Sequence, residues 1–251
     1  MQIADPIRIS SVIGRGFRIF FRNFPTFFGL ILIAGALQAL VHLGLERLDE
    51  RSADIAVLKG SVALIILTLL SVAAAVLGIW VNLACIRVGL NSEAGGDARP
   101  LPALRATASL ILPQIGVAIL TAMAIGIGYM LLIVPGIIAT LALLVSGVAL
   151  VDRHGGVIAA MQESWRLTKH NRWRILLLLI LGSIATSVLL SAGMTAAGIS
   201  LNRLSERFVT LLSGPLWWSV SALGTVTGAL GLAMLIALYL ELKRARAGLS
   251  V

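Results

Sequence analysis

Between Ile133 and Ile175 the chain alternates long apolar runs with brief polar punctuation, and few folds tolerate that pattern. The stretch reads as the end of one membrane span, a Pro135-Gly136 turn without charge, a second span, a surface helix with a basic end, and the start of a third span. Apolar runs of about 20 residues match the hydrocarbon thickness of a bilayer when helical. Composition points the same way. The chain is 59% hydrophobic and 12% charged, whereas soluble domains are about 45–50% apolar and about 25% charged. A mean hydropathy of +1.00 leaves too little polar surface to face water. The expected class is all-α: a polytopic membrane protein of six helices, with amphipathic interfacial helices on the cytoplasmic side.

Before the first span, residues 7–24 form the strongest amphipathic pattern. At 100° per residue, Arg8, Arg15, Arg18 and Arg22 fall within about 80° of one another, with Ile9, Ile13, Phe17, Phe20 and Phe24 opposite. A basic face against an aromatic and aliphatic one suits a helix lying in the headgroup region. Gly14 and Gly16 weaken its middle. The first long apolar run starts only near Pro25, exceeds the length of a signal peptide's apolar region and lacks a cleavage site, so it is expected to stay as an anchor.

Spans are expected at about 26–45, 61–84, 113–133, 135–151, 175–197 and 215–240, with a second interfacial helix at 155–170. In that helix Val157, Ile158, Met161 and Trp165 share one side, and Gln162, Glu163, Arg166, Lys169 and His170 the other. Ala73, Ala74, Ala75 and Gly78, and the Gly224/Gly228 pair, offer small surfaces for helix approach. Trp165, Trp173, Trp217 and Trp218 are candidate membrane-interface anchors.

With six spans, both termini share one side, and 15 of the 20 basic residues fall there. The positive-inside bias makes that side cytoplasmic, as in a bacterial inner-membrane protein. The net charge of +9 is thus local excess on a chain poor in charge. The expected partners are anionic membrane lipids, contacted by Arg8, Arg15, Arg18, Arg22, Arg166, Lys169, Arg172 and Arg174. Nucleic acid is not an expected partner, since it needs a basic face on a soluble fold. A surface helix precedes each odd-numbered span, giving three units that start near Ile7, Leu101 and Gly155.

Catalytic signals are weak. His42, His154 and His170 lack ligand spacing, so no metal and no cofactor is expected. Ser164 lies near His170 without a group to orient a base, and reads as a small residue that beds its helix down. The single Cys85 lies in an apolar run. Glu241 and Asp152, at span ends, are expected to pair, Glu241 with Arg172, Arg174 or Arg87. Gln38, Asn82 and Gln114 suit interhelical hydrogen bonds.

Pro135-Gly136-Ile137-Ile138, Ala160, Ser164-Trp165-Arg166-Leu167-Thr168 and Arg172-Trp173-Arg174, in that order, carry a resemblance. Together with Leu238 to Lys243 they resemble the membrane domain attached to some bacterial glycerophosphoryl diester phosphodiesterases, and related stand-alone six-span inner-membrane proteins. The motifs mark about a fifth of the chain. In the fused relatives the chemistry belongs to a soluble barrel, for which this chain has no room. Arg153-His154-Gly155-Gly156 only looks like that barrel's metal-binding start, so phosphodiesterase activity is not expected. The expected function is non-enzymatic: binding anionic headgroups and assisting membrane organisation or lipid handling. The alternative is a transporter or permease-like component for a lipid or small amphiphile, suggested by the short fourth span and the Pro113 and Pro135 breaks.

Overall fold

The computed structural model describes residues 7–33, 35–36, 57–96, 98–153, 156–196 and 215–248, with side chains except at 57–64, 67, 190, 193–196, 215–223 and 225. Helices follow one another in the order α1 (Ile9–Arg22), α2 (Phe24–Ile33), α3 (Val57–Glu93), α4 (Pro100–Thr107), α5 (Ile111–Leu131), α6 (Ile133–Leu143), α7 (Ser146–Arg153), α8 (Val157–Thr168), α9 (Arg172–Ala196) and α10 (Pro215–Arg246). No strand occurs among the described residues. That is what hydrocarbon demands, because a helix satisfies its backbone groups within one segment.

Five helices are long and apolar enough to cross a membrane: α3, α4 continuing into α5, α6 with α7, α9 and α10. The pair α1–α2, bent by 69°, makes a sixth if it is one span. The chain is a multi-pass α-helical membrane protein. Only the first part of the expected span at 26–45 lies within the described residues, and Gln38 and His42 lie outside them.

Asn23 makes the bend. Its backbone leaves helical geometry at φ −107°, ψ 11°, and its side-chain amide donates to Ile19 O at 2.9 Å and Ser92 Oγ at 2.9 Å. Pro25 follows within the first turn of α2, where its missing N–H had no helical partner. The second span runs past its expected end: α3 continues to Glu93, and in this added part Gly89 fits against Ile236 of α10, where a Cβ would come 2.7 Å from the side chain. Gly95 at φ +74° then stops it, with Gly96 N–H returning to Asn91 O at 2.9 Å.

Pro135 and Gly136 do not form the turn between the third and fourth spans. The reversal is at Leu132, with φ −170° and ψ 156°, and both residues lie in the first turn of α6. Their role is close packing: a Cβ on Gly128 would sit 2.9 Å from Gly136 Cα, and one on Gly136 2.5 Å from the Tyr129 ring. The fourth span is interrupted at Leu144–Val145, between α6 and α7. A helix end leaves carbonyls without partners, and hydroxyls take them here. Ser146 Oγ donates to Leu143 O at 2.7 Å, Ser164 Oγ to Ala142 O at 2.6 Å and Thr168 Oγ1 to Ala142 O at 3.4 Å.

The buried core lies where α1, the later half of α3, α7 and the later half of α10 meet: Ile19, Leu83, Val88, Leu150, Ile236, Tyr239 and Leu242 are buried. Elsewhere apolar side chains face outward, as in the fifth span, of which only 6% is buried. The Gly224/Gly228 pair, expected to pack, meets no described residue; close approach is made instead by Gly16, Gly89, Gly128 and Gly136. Of Ala73, Ala74, Ala75 and Gly78 in the second span only Ala74 is buried.

Candidate functional site

Among the described side chains, one end of the bundle collects the charge. The ends of α3, α7 and α10 and the starts of α1 and α9 meet there through ion pairs and hydrogen bonds. Arg15 reaches Glu93 at 3.5 Å and Glu241 at 3.2 Å, the latter contact too oblique for a hydrogen bond. Lys243 Nζ lies 2.6 Å from Asp152 Oδ2, which also accepts from the Tyr239 hydroxyl at 2.7 Å. Glu163, only 8% exposed, faces Arg153 at 3.1 Å and Arg246 at 3.8 Å. Arg87 donates to Val151 O at 3.3 Å.

These pairings re-sort the expected residues. Arg15, expected on the lipid side, is held between α3 and α10 with 13% of its side chain exposed. Its position at the edge of the basic stripe puts it against the buried stripe Val12, Gly16 and Ile19. Glu241 pairs with Arg15, not with Arg172, Arg174 or Arg87. Glu163 leaves the polar face of α8 for the protein interior. Arg174 Nη1 donates to Ile7 O at 2.6 Å, and Asn171 Oδ1 accepts from Ile7 N–H at 3.5 Å. Arg172 lies over the Trp165 ring, 4.7 Å from its centroid.

What remains outward is a cationic surface of Arg8, Arg18 and Arg22 on α1 and Arg166 and Lys169 on α8. Ile7 joins its two parts, because the start of α1 is tied to the start of α9. Exposed aromatics border it: Phe17 and Phe21 on α1, Trp165 and Trp173 on α8 and α9. Phe17 stacks on Phe21 and Phe24 on Phe28, and the buried Phe20 joins the two outward stacks edge-on. The side chains of Trp217 and Trp218, like residues His154 and Gly155, lie outside the described residues. Guanidinium groups bordered by outward aromatics can hold phosphate oxygens while the rings sit among acyl chains.

Ser164 is buried and its hydroxyl is committed to Ala142 O. Asn82 and Gln114 do not bond one another but meet at a cavity of about 470 Å³ beside the interruption of the fourth span. Reading the sequence included Tyr239 only within the stretch that carries the resemblance, and missed Asn23 and Thr121. Asn23 carried a usable signal, an amide two residues before Pro25 at a change of hydrophobic face; Thr121 was unremarkable within an apolar run.

A family model described as a domain of unknown function (DUF7847) matches residues 7–242. No curated protein and no solved structure matches the chain.

Proposed function

The chain belongs to the DUF7847 family, and on that premise we propose that it is a non-enzymatic protein of the bacterial cytoplasmic membrane that holds anionic lipid headgroups and assists membrane organisation or lipid handling. Both termini lie on the cytoplasmic side in this proposal, which the bias of 15 of 20 basic residues toward one side supports. The observation that carries it is the joining of two basic helices far apart in sequence, α1 and α8, through Ile7, Asn171 and Arg174, with Arg8, Arg18, Arg22, Arg166 and Lys169 left outward. Each such cation near an anionic surface contributes about 1 kcal/mol. Kinship with the phosphodiesterase-linked membrane domain is part of the same proposal. The residues of that resemblance make the joints between helices: Gly136 on Tyr129, Ser164 on Ala142 O, Arg172 over Trp165 and Arg174 on Ile7 O.

The test is native mass spectrometry from nanodiscs containing phosphatidylglycerol and phosphatidylethanolamine. Replacing Arg8, Arg18 and Arg22 by Glu, with Arg15 kept, should lower phosphatidylglycerol retention at least about tenfold. Retention equal to wild type would sink the proposal. A second reading, a permease-like component that moves a lipid or small amphiphile, is favoured by the interrupted fourth span and the cavity beside it. Its test is transbilayer movement of a labelled lipid in vesicles holding the purified protein.

A further inference from the structure

We infer that the cavity between α3, α5, α6–α7 and α10 binds a neutral amphiphile whose polar end carries hydrogen-bond donors, and that the molecule enters from the flank of the bundle. This deepens the second reading by naming a ligand class, and binding is measured separately from movement.

Size admits a ligand. The volume of about 470 Å³ falls within the range of roughly 300–1,000 Å³ usual for small-molecule sites. Chemistry narrows the choice. Four hydroxyl or amide side chains on α5, α6 and α7 line the space, and they divide into two kinds. Thr140 Oγ1 donates to Gly136 O at 2.9 Å and Ser146 Oγ to Leu143 O at 2.7 Å, so both are satisfied within their own helices. Gln114 Oε1 and Thr121 Oγ1 are buried and have no hydrogen-bond partner among the described residues. Both sit on α5, seven residues apart, which puts them on one stripe about 10 Å apart along the axis. Leaving such groups unpaired inside a membrane protein is unfavourable, so each calls for a partner from the cavity.

Placement of the amide is built in. Gly147 of α7 lies against it, and a Cβ there would come within 3.3 Å of Gln114 Nε2. The carbonyl oxygen of Gln114 accepts only, and a threonine hydroxyl both accepts and donates. The ligand must therefore bring O–H or N–H groups. Among the described residues no charged side chain lines the cavity, so a charged headgroup would enter unpaired, at high cost in hydrocarbon. Leu232 and Leu235 of α10 supply an apolar wall for a chain. The route is lateral: Asn82, Ala118 and Ala122 line the cavity and are exposed, whereas Val117, Leu143 and Val148 are buried.

Monoacylglycerol is the probe, with methyl oleate as the analogue lacking a donor. Native mass spectrometry of the full chain should show monoolein retained and methyl oleate lost. Gln114→Met and Thr121→Val should each weaken monoolein retention about tenfold, while phosphatidylglycerol retention stays at the wild-type level. Equal retention of the two probes, no retention of either, or unaltered monoolein binding in both variants would overturn the inference. Should a variant fail to fold, a photoreactive monoacylglycerol on the wild-type chain decides. Labelling of peptides containing Asn82, Thr121 or Leu235 supports the site, and labelling confined to other segments overturns it. Monoolein bound at this site without movement of lipid across vesicles keeps the inference and removes the second reading.

Discussion

Arg15 separates two kinds of arginine that look alike along α1. It stands between Glu93 and Glu241, all three side chains less than a fifth exposed, whereas Arg18 points outward. Removing the cation would leave two largely buried carboxylates without their shared partner. Arg15→Gln is expected to cost about 2–3 kcal/mol, below the full penalty for breaking a deeply buried pair. Arg18→Gln should stay within about 0.5 kcal/mol. Thermal unfolding in detergent measures both, and adding Glu241→Gln to Arg15→Gln should restore part of the loss. Equal melting shifts for Arg15 and Arg18 would refute the assignment. Asn23 holds both the end of α1 and Ser92 of α3. Asn23→Ala is expected to cost about 1–2 kcal/mol, the usual scale for buried hydrogen bonds in membrane bundles.

Among elements, α1 and α8 share a design. Around each axis a buried stripe, an exposed apolar stripe and a basic stripe follow in the same rotational order. In α1 these are Val12 and Ile19, then Phe17 and Phe21, then Arg18 and Arg22; in α8 they are Ala160 and Ser164, then Ile158 and Trp165, then Arg166 and Lys169. Reading the sequence recovers the basic and aromatic stripes because charge and hydrophobicity differ there. Of the buried stripe of α8 it recovers only Ser164, read as a small residue that beds the helix down, because Ala160 and Thr168 are too small to stand out by hydrophobicity. They become interior only when α8 lies on the carbonyl freed at Ala142. Ser164→Leu, at a position with no exposure, should destabilise by about 1–3 kcal/mol through overpacking and loss of that bond. The α5–α6 hairpin gives a sharper contrast. Gly128→Ala meets the backbone of Gly136 and should destabilise by about 1–3 kcal/mol. Gly126→Ala, with open space around it, should be neutral or stabilising by up to about 1 kcal/mol. Melting temperatures of the two variants that moved together would refute this packing.

At the scale of the molecule, the joints between helices fix which ends share a face. Arg18 and Lys169 lie at the charged face, and Leu132 lies at the far end of α5. Arg18→Cys and Lys169→Cys are expected to react with an impermeant thiol reagent from one side of sealed vesicles, and Leu132→Cys from the other. Cys85, 1% exposed, should stay unlabelled until the chain is unfolded. Labelling of all three introduced thiols from one side would refute the arrangement.

Hydropathy by itself determined the all-α polytopic class, because that follows from transfer of side chains between water and hydrocarbon, one segment at a time. Tertiary structure alone decided which arginines face outward, that Glu241 chooses Arg15, that the reversal falls at Leu132 and not at Pro135-Gly136, and that Gln114 and Thr121 border a shared space. These depend on distances between helices remote in sequence, and polarity along a single chain carries no record of them.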